Sequence, residues 1–338
     1  MGKMYYDRII TKESQNLISE NGSLRWLFDF VTKYEYLDFL IGKNDNLQWI
    51  SVYYGLSRIL RIIPASNSYI KVVADKAYLE IAKENNLKIY GTYEKDKIIN
   101  FSNDLLKLIT LVLKNSRFNK YYNNKKEGYY QTMFSREYGL KANGSEAFVI
   151  IDKESVIGFE NIEVKNLILN PLQEKYRKIY RELNRINPRE YGIDLSKKSI
   201  GNELDFLAVN SNGDIFLIEF KHGNNTSGIY LSPIQIGLYY DIFSKYVNQH
   251  KKYFEDTIIQ IVKQKKHIGL IPSNFQFSNK INKIIPVLVI SKYNNKSTGI
   301  QKFKDVLKIS RDKLMDSNFL SNIQIYSYDE NGLKILNV

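Results

Sequence analysis

The stretch GNELDFLAVNSNGDIFLIEFKHG, residues 201–223, places charged residues inside two otherwise apolar segments. Apolar residues occupy both faces of the first segment, 203–209, which predicts a strand deep in a sheet. NSNG at 210–213 is typical of a hairpin turn, so the second segment, 214–221, should return as the neighbouring strand. The sequence therefore predicts two adjacent strands in a largely buried sheet, with charged side chains at the edge of its apolar surface.

Three of these charged side chains should lie near one another. Alternation along the strands puts Asp205 on one face of the first strand, and Glu219 and Lys221 on a common face of the second. Burying such charges is costly unless they pair or bind an ion. A divalent cation held by Asp205 and Glu219 would meet that need, and Lys221 could orient or help deprotonate an attacking water. An ordinary cross-strand salt bridge is the alternative, because the bare spacing is a weak motif.

The next segment predicts an amphipathic helix at 233–248, with Ser232 as its cap and Pro233 in its first turn. Gln235 and Tyr239 are four residues apart and therefore neighbours on one face of that helix. This polar pair could lie over the charged cluster and contact a nucleic-acid backbone. The alternative places Tyr239 in the core with a polar tip and Gln235 at the surface.

The net charge and the Cys and His counts indicate what kind of partner and what kind of metal site to expect. The 338-residue chain has a formal net charge of +13 and a pI near 9.4, which favours a polyanionic partner such as nucleic acid. An AT-rich coding sequence could produce the same bias towards Lys, Asn, Ile and Tyr. With no cysteine and three histidines, any metal should be held by oxygen, which favours Mg²⁺ or Mn²⁺.

The same composition argues against a membrane protein. No window approaches the ~20 uninterrupted apolar residues of a membrane span. The segment MGKMYYDRII at 1–10 lacks the apolar region of a secretory signal. We therefore expect a soluble, cytoplasmic protein without a membrane partner.

The length predicts two domains. Near 145–170 the sequence changes to short apolar stretches around turns, and we place the domain boundary at 150. The first domain, 1–150, is expected to be α+β, largely helical, and to recognise substrate or regulate the second. Its predicted elements are helices at 47–63, 69–84 and 103–114 and a hairpin within 87–100.

The second domain, 151–338, is expected to be α/β with a mixed central sheet. Short strands around turns should fill the region up to 169, and NP at 170–171 should open a helix. Its remaining predicted elements are helices at 172–186 and 301–314, a strand at 284–290 and a terminal hairpin turning at 329–332.

Together, ELDFLAV, DIFLIEFK and QIGLY resemble the PD-(D/E)XK nuclease superfamily. Asp205 matches its motif aspartate, EFK at 219–221 matches its E-x-K element, and QIGLY at 235–239 is similar to the Q-x-x-x-Y element of its RecB-type exonuclease branch. The literal PD is absent, because Leu204 precedes the aspartate. The resemblance implies a restriction-endonuclease-like αβββαβ core, Mg²⁺ dependence with Mn²⁺ as a substitute, and cleavage of DNA, less often of RNA.

The resemblance also implies an acidic residue from the preceding helix. Glu174 and Glu182 are candidates, with Glu190 as a loop alternative, and we favour Glu182 because it lies nearer the strand. Ion pairs with neighbouring lysines and arginines would instead make either glutamate a surface residue. The predicted catalytic group is Asp205, Glu219, Lys221, Gln235 and Glu182, with Asp205 and Glu219 as the metal ligands.

The predicted substrate contacts are Tyr239 and His222. His222 follows the motif lysine and could touch phosphate, although a lone loop histidine usually lies at the surface.

The predicted function is a Mg²⁺-dependent deoxyribonuclease, in restriction, repair or anti-phage defence. An RNase or toxin-like effector with the same site is one alternative, because DNA and RNA present the same phosphodiester. A catalytically silent nucleic-acid-binding protein of the same fold is another. A homodimer is compatible with each hypothesis, and the sequence leaves the oligomeric state open.

Overall fold

A computed structural model describes residues 3–44, 47–65, 68–89, 91–115, 126–144, 146–186, 203–314 and 319–337. In chain order its strands are β1 (Met4–Tyr5), β2 (Leu37–Asn44), β3 (Leu47–Tyr54), β4 (Ser57–Pro64), β5 (Tyr69–Ala74), β6 (Gly91–Glu94), β7 (Val149–Ser155), β8 (Gly158–Phe159), β9 (Leu204–Val209), β10 (Ile215–His222), β11 (Ile284–Ser291), β12 (Gln324–Asp329) and β13 (Gly332–Ile335). Its helices are α1 (Lys12–Asn16), α2 (Arg25–Lys33), α3 (Lys76–Glu84), α4 (Ser102–Lys114), α5 (Glu127–Ser135), α6 (Ile162–Ile186), α7 (Thr226–Ile268), α8 (Thr298–Lys313) and α9 (Phe319–Asn322). None of the helices in these ranges is long and apolar enough to cross a bilayer.

The chain forms two compact units. The mixed-sheet unit comprises Met1–Tyr6, Ala147–Ile258 and Gln276–Val338, and the antiparallel-sheet unit comprises Asp7–Glu146 and Ile259–Phe275. The sequence predicts two continuous domains that meet at residue 150. In the structure Met1–Tyr6 belongs to the mixed-sheet unit, and Ile259–Phe275 belongs to the antiparallel-sheet unit.

The mixed-sheet unit is built on a six-stranded sheet in the order β13-β12-β11-β10-β9-β7. β10, β11 and β12 are parallel neighbours, whereas β12–β13, β10–β9 and β9–β7 are antiparallel. The α/β class with a mixed sheet is therefore confirmed. The predicted αβββαβ order has three consecutive strands between its two helices. Among the described residues α6 lies between β7 and β9 in the chain, so these strands are not consecutive.

Two helices of this unit begin earlier than the sequence predicted. α6 begins at Ile162, so the short strands expected up to residue 169 are limited to β7 and the two-residue β8. Pro171 lies inside α6, where its missing amide would leave the carbonyl of Leu167 without its helical donor. Leu167 itself is 71% exposed, and the helix continues through the proline.

α7 begins at Thr226, so the helix start predicted at Ser232 and Pro233 is wrong. Pro233 lacks the amide that would bond the carbonyl of Ile229. The Ser232 hydroxyl donates to that carbonyl instead, at 2.6 Å. Asn225 supplies the true cap, because its Oδ1 accepts a hydrogen bond from the Gly228 amide at 3.0 Å. α7 departs from helical geometry at His250 (φ −134°, ψ 32°).

The antiparallel-sheet unit is less helical than the sequence predicted. Its five strands run in the order β2-β3-β4-β5-β6, each antiparallel to its neighbour. The predicted helix at 47–63 is the β3–β4 hairpin. Gly55 has φ +59° in the two-residue turn between the paired residues Tyr54 and Ser57, a backbone conformation that glycine adopts without strain.

Other elements of this unit match the sequence in part. The predicted helix at 69–84 is β5 followed by α3, whereas the helix predicted at 103–114 is confirmed as α4. A hairpin was expected within 87–100, and in the described part of that range β6 is the one strand. It pairs with β5, and a 3₁₀ helix at Lys95–Phe101 follows it. Buried residues of the sheet and of α2, α3 and α4 belong to one hydrophobic core.

Candidate active site

Asp205 and Glu219 meet across the β9–β10 pair. The strand register joins Ile218 to Phe206, and the next position of an antiparallel pair sets Asp205 opposite Glu219, on one face of the sheet. Asp205 Oδ2 accepts a hydrogen bond from the Phe220 amide at 2.7 Å. Glu219 is 1% exposed, whereas Asp205 is half-buried. The structure thus brings the two predicted ligands together at a partly accessible position.

Lys221 supplies the positive charge of this cluster. Its ammonium forms an ion pair with Glu219 Oε1, and the lysine is 9% exposed. The two side chains share a face because they are two positions apart on β10. Two carboxylates placed opposite each other repel, and a buried carboxylate needs a cationic partner. Lys221 is that partner for Glu219.

Tyr239 joins α7 to the start of β9. Its hydroxyl donates to the Glu203 carbonyl and accepts a hydrogen bond from Gln235 Nε2 at 2.9 Å. Burial, followed by the negative charges of Glu219, Asp205 and Glu203, raises the pKa of Tyr239, so the phenol stays protonated and can donate. Tyr239 is 1% exposed, as in the alternative that places it in the core with a polar tip, and its contact with substrate stays a prediction. Its position in the core with a polar tip makes it a positioning residue for β9.

A second link, which the sequence analysis did not identify, holds this part of α7 against α6. Asp241 Oδ2 accepts hydrogen bonds from the Tyr176 hydroxyl at 2.9 Å and from Lys175 Nζ at 2.8 Å. A Cβ on Gly237 would lie 2.6 Å from the Tyr176 ring, so only glycine permits this approach. Gly237 and Asp241, the one acidic residue within 226–248, were the available indications of such a contact.

His222 is buried at the end of β10. It is 7% exposed, and its Nδ1 accepts a hydrogen bond from the Asn224 amide at 3.2 Å in the turn that follows β10. Alternation along β10 directs His222 to the face opposite Lys221. The surface position expected of a lone loop histidine is therefore wrong for His222, which stabilises the turn, and its contact with phosphate stays a prediction.

The structure pairs Glu182 with Arg185 on α6. Glu182 accepts hydrogen bonds from Arg185 Nη2 at 2.6 Å and Nε at 3.2 Å, and they hold the pKa of Glu182 below its usual value. With Lys313 it lines a cleft of about 480 Å³ between α6 and the end of α8.

Of the other two acidic candidates, the structure describes one. Glu174 forms an ion pair with Arg181 on the surface of α6, as expected for a solvated helix. Glu190 lies outside the described residues.

The donor set fits a magnesium ion that is only partly coordinated by protein. Mg²⁺ is commonly held through one or two carboxylates, with waters and substrate phosphates completing the shell. Asp205 and Glu219 provide two such carboxylates. In the described part of the chain no group of three His, Cys, Asp or Glu residues could hold a metal, so a closed cage of protein ligands is not found there.

The geometry therefore assembles Asp205, Glu219, Lys221, Gln235 and Tyr239. Glu182 is paired with Arg185, and alternation along β10 sets His222 on the face opposite Lys221. No family model, no curated protein and no solved structure matches this chain.

Proposed function

We propose that the protein is a Mg²⁺-dependent nuclease that hydrolyses phosphodiester bonds, with DNA as the preferred substrate. The observation that carries this proposal is the placement of Asp205 opposite Glu219, with the buried Lys221 ammonium beside them. Two carboxylates and one lysine on an apolar sheet cost stability without contributing packing. Their arrangement is accounted for by a reaction that needs a divalent cation and a nearby ammonium group.

Each residue of the cluster has a distinct role in this proposal. Asp205 and Glu219 would hold Mg²⁺, which supplies Lewis acidity towards a phosphodiester when it is bound. Lys221 would orient the attacking water and offset negative charge that develops on the phosphate. Tyr239 would fix the start of β9, and thereby the position of Asp205, through the Glu203 carbonyl.

The fold supports the resemblance to the PD-(D/E)XK superfamily in part. In space β7, β9, β10 and β11 are consecutive neighbours, and α7 connects the parallel strands β10 and β11. A restriction-endonuclease-like core with α6 inserted between its first two strands is therefore our proposal for the ancestry of this unit.

The test is cleavage by the purified full-length chain of linear duplex, circular duplex, single-stranded DNA and RNA, with Mg²⁺, Mn²⁺ or EDTA. We expect metal-dependent cutting of DNA. Asp205→Asn should lower kcat at least ~100-fold, because it removes a charge where the ion and the phosphate meet, while its remaining oxygen can still accept from Phe220. Asp256→Asn removes the same charge from an exposed ion pair with Lys252 and should leave kcat unchanged.

The outcomes separate the alternatives. Cutting of RNA alone would assign an RNase or toxin-like effector with the same site. Nucleic-acid binding without cutting of any of the four substrates would assign a catalytically silent binding protein. Equal cutting by Asp205→Asn and wild type would show that the cluster is not the catalytic site.

A further inference from the structure

A run of lysines without any acidic residue follows β11. Residues 291–304 read SKYNNKSTGIQKFK and contain four lysines and no Asp or Glu. They form the end of β11, the loop after it and the first turns of α8. We call Lys292, Lys296, Lys302 and Lys304 the basic edge.

The basic edge lies where the candidate active site opens. β10, β11 and β12 are parallel, so their carboxyl ends share one edge of the sheet, and ligands of open α/β sheets bind outside that edge. His222, the residue after Lys221, is level with Ser291. The Gly223 amide donates to the Ser291 carbonyl at 2.7 Å. A Cβ on Gly223 would lie 2.2 Å from the Lys292 carbonyl oxygen, so the loops after β10 and β11 are in contact.

Two helices also begin at this edge. A Cβ on Gly299 of α8 would lie 3.2 Å from the Cα of Thr226, the first residue of α7. Ser297 caps α8, since its hydroxyl accepts a hydrogen bond from the Ile300 amide at 3.3 Å. Both amino-terminal ends carry partial positive charge, which adds to the charge of the lysines. Lys302 Nζ lies 5.6 Å from the centroid of the Tyr230 ring on α7.

The lysines differ in how they are held. Lys292 forms an ion pair with Glu330 at 3.1 Å, and Lys302 lies over Tyr230. Lys296 and Lys304 are exposed. From Thr298 to Lys304 the helix rises about 9 Å, which corresponds to roughly two or three phosphates along one strand of a duplex.

We propose that the basic edge binds the sugar-phosphate backbone of a nucleic acid whose scissile phosphate lies at Asp205, Glu219 and Lys221. This inference rests on the proposed nuclease function and adds the path of the substrate. The carboxylates would bind the cation, while the edge binds phosphates that flank the cleavage point. Lys296 and Lys304 make the exposed contacts, and Lys302 acts from its place over Tyr230.

The same strand offers a matched control for the test. Lys280 and Lys283 are exposed just before β11, at the opposite end of that strand from the basic edge. The double variant Lys296→Ala/Lys304→Ala and the double variant Lys280→Ala/Lys283→Ala therefore lose equal charge from exposed positions. Neither pair belongs to the candidate active site.

The experiment measures the affinity for a short fluorescent DNA duplex in EDTA, where no cutting occurs, as KCl is raised. Each phosphate contact contributes about 0.9 to the slope of log Kobs against log salt. The Lys296→Ala/Lys304→Ala variant should therefore bind more weakly, with a slope shallower by roughly 2. Lys280→Ala/Lys283→Ala should keep the wild-type slope.

Equal losses in the two double variants would overturn the proposal, because binding would then follow net charge and not this edge. A wild-type slope for Lys296→Ala/Lys304→Ala would overturn it as well. Because binding is measured without cutting, the two proposals can fail separately. Metal-dependent cutting with an unchanged slope refutes only the basic edge, whereas a shallower slope in a protein that cuts nothing supports the edge and refutes the nuclease.

Discussion

Glu219 is the residue whose environment most constrains the site. It is 1% exposed on the central strand β10, and its charge is balanced by Lys221 two residues further on. Removing one member of a buried ion pair leaves an uncompensated charge, whereas removing both members can be nearly neutral. The stability of the pair can therefore be tested apart from any catalytic role.

We expect Lys221→Met to lower the free energy of unfolding by about 3 kcal/mol, because Glu219 would keep its charge without the ammonium. In the double variant Glu219→Gln/Lys221→Met the loss should shrink to about 1 kcal/mol or less. Urea unfolding at neutral pH measures both. The control Lys252→Met breaks the exposed pair with Asp256 and should change the midpoint little. If the double variant loses as much unfolding free energy as Lys221→Met or more, the two charges act independently.

The sequence predicted part of this site because the necessary information is local. Alternation and a turn at 210–213 are enough to set Asp205 opposite Glu219, since both strands belong to one hairpin. The bond from Tyr239 to the Glu203 carbonyl joins residues 36 positions apart and depends on where α7 packs. Local periodicity places Tyr239 on a helix face but does not say what that face meets.

At the scale of the element, Ser232 and Pro233 act as one unit inside α7. The proline interrupts the helical bond to the Ile229 carbonyl, and the serine hydroxyl replaces it at 2.6 Å. Ile229 and Ser232 are both fully buried, so water cannot serve that carbonyl. The helix therefore passes through a residue that would otherwise end or kink it.

Ser232→Ala should lower the free energy of unfolding by about 1–3 kcal/mol, because a buried carbonyl loses its donor. In a Pro233→Ala background the restored amide can bond Ile229, so the same serine change should cost about 0.5 kcal/mol or less. Urea midpoints of the wild type, both single variants and the double variant complete the cycle. If Ser232→Ala costs the same in both backgrounds, the hydroxyl does not replace the missing amide.

These elements also show why helix starts were difficult to predict. Pro171 and Pro233 were interpreted as first-turn residues, which is the commonest place for proline. In the structure the carbonyl that Pro171 frees belongs to the exposed residue Leu167, and the carbonyl that Pro233 frees is bonded by a serine. Neither arrangement follows from helical spacing. The β3–β4 hairpin was interpreted as a helix for a related reason. Its apolar residues fit both helical and strand periodicity, and the turn at Gly55 distinguishes the hairpin from a helix.

At the scale of the whole molecule, several buried tyrosines make the free energy of unfolding depend on pH in the alkaline range. Burial raises the pKa of Tyr54 and of Tyr180 to about 12, and burial also raises that of Tyr239. The ordinary value is 10.0. Between that value and the raised one, the unfolded chain releases protons that the folded chain keeps. Stability is therefore complete below pH 10 and falls as pH rises through this window.

Tyr180→Phe tests this linkage at one of these residues. Tyr180 is 8% exposed, and after burial the neighbouring Tyr230 is the next cause of its raised pKa. From pH 10 to pH 11 the wild type should lose about 1 kcal/mol more of its unfolding free energy than Tyr180→Phe does, because phenylalanine has no proton to release. Urea unfolding at pH 9, 10 and 11 provides the comparison, with Tyr253→Phe as the control because Tyr253 is 57% exposed. An identical pH dependence for the wild type and Tyr180→Phe would show that this hydroxyl is reached by water before the chain unfolds.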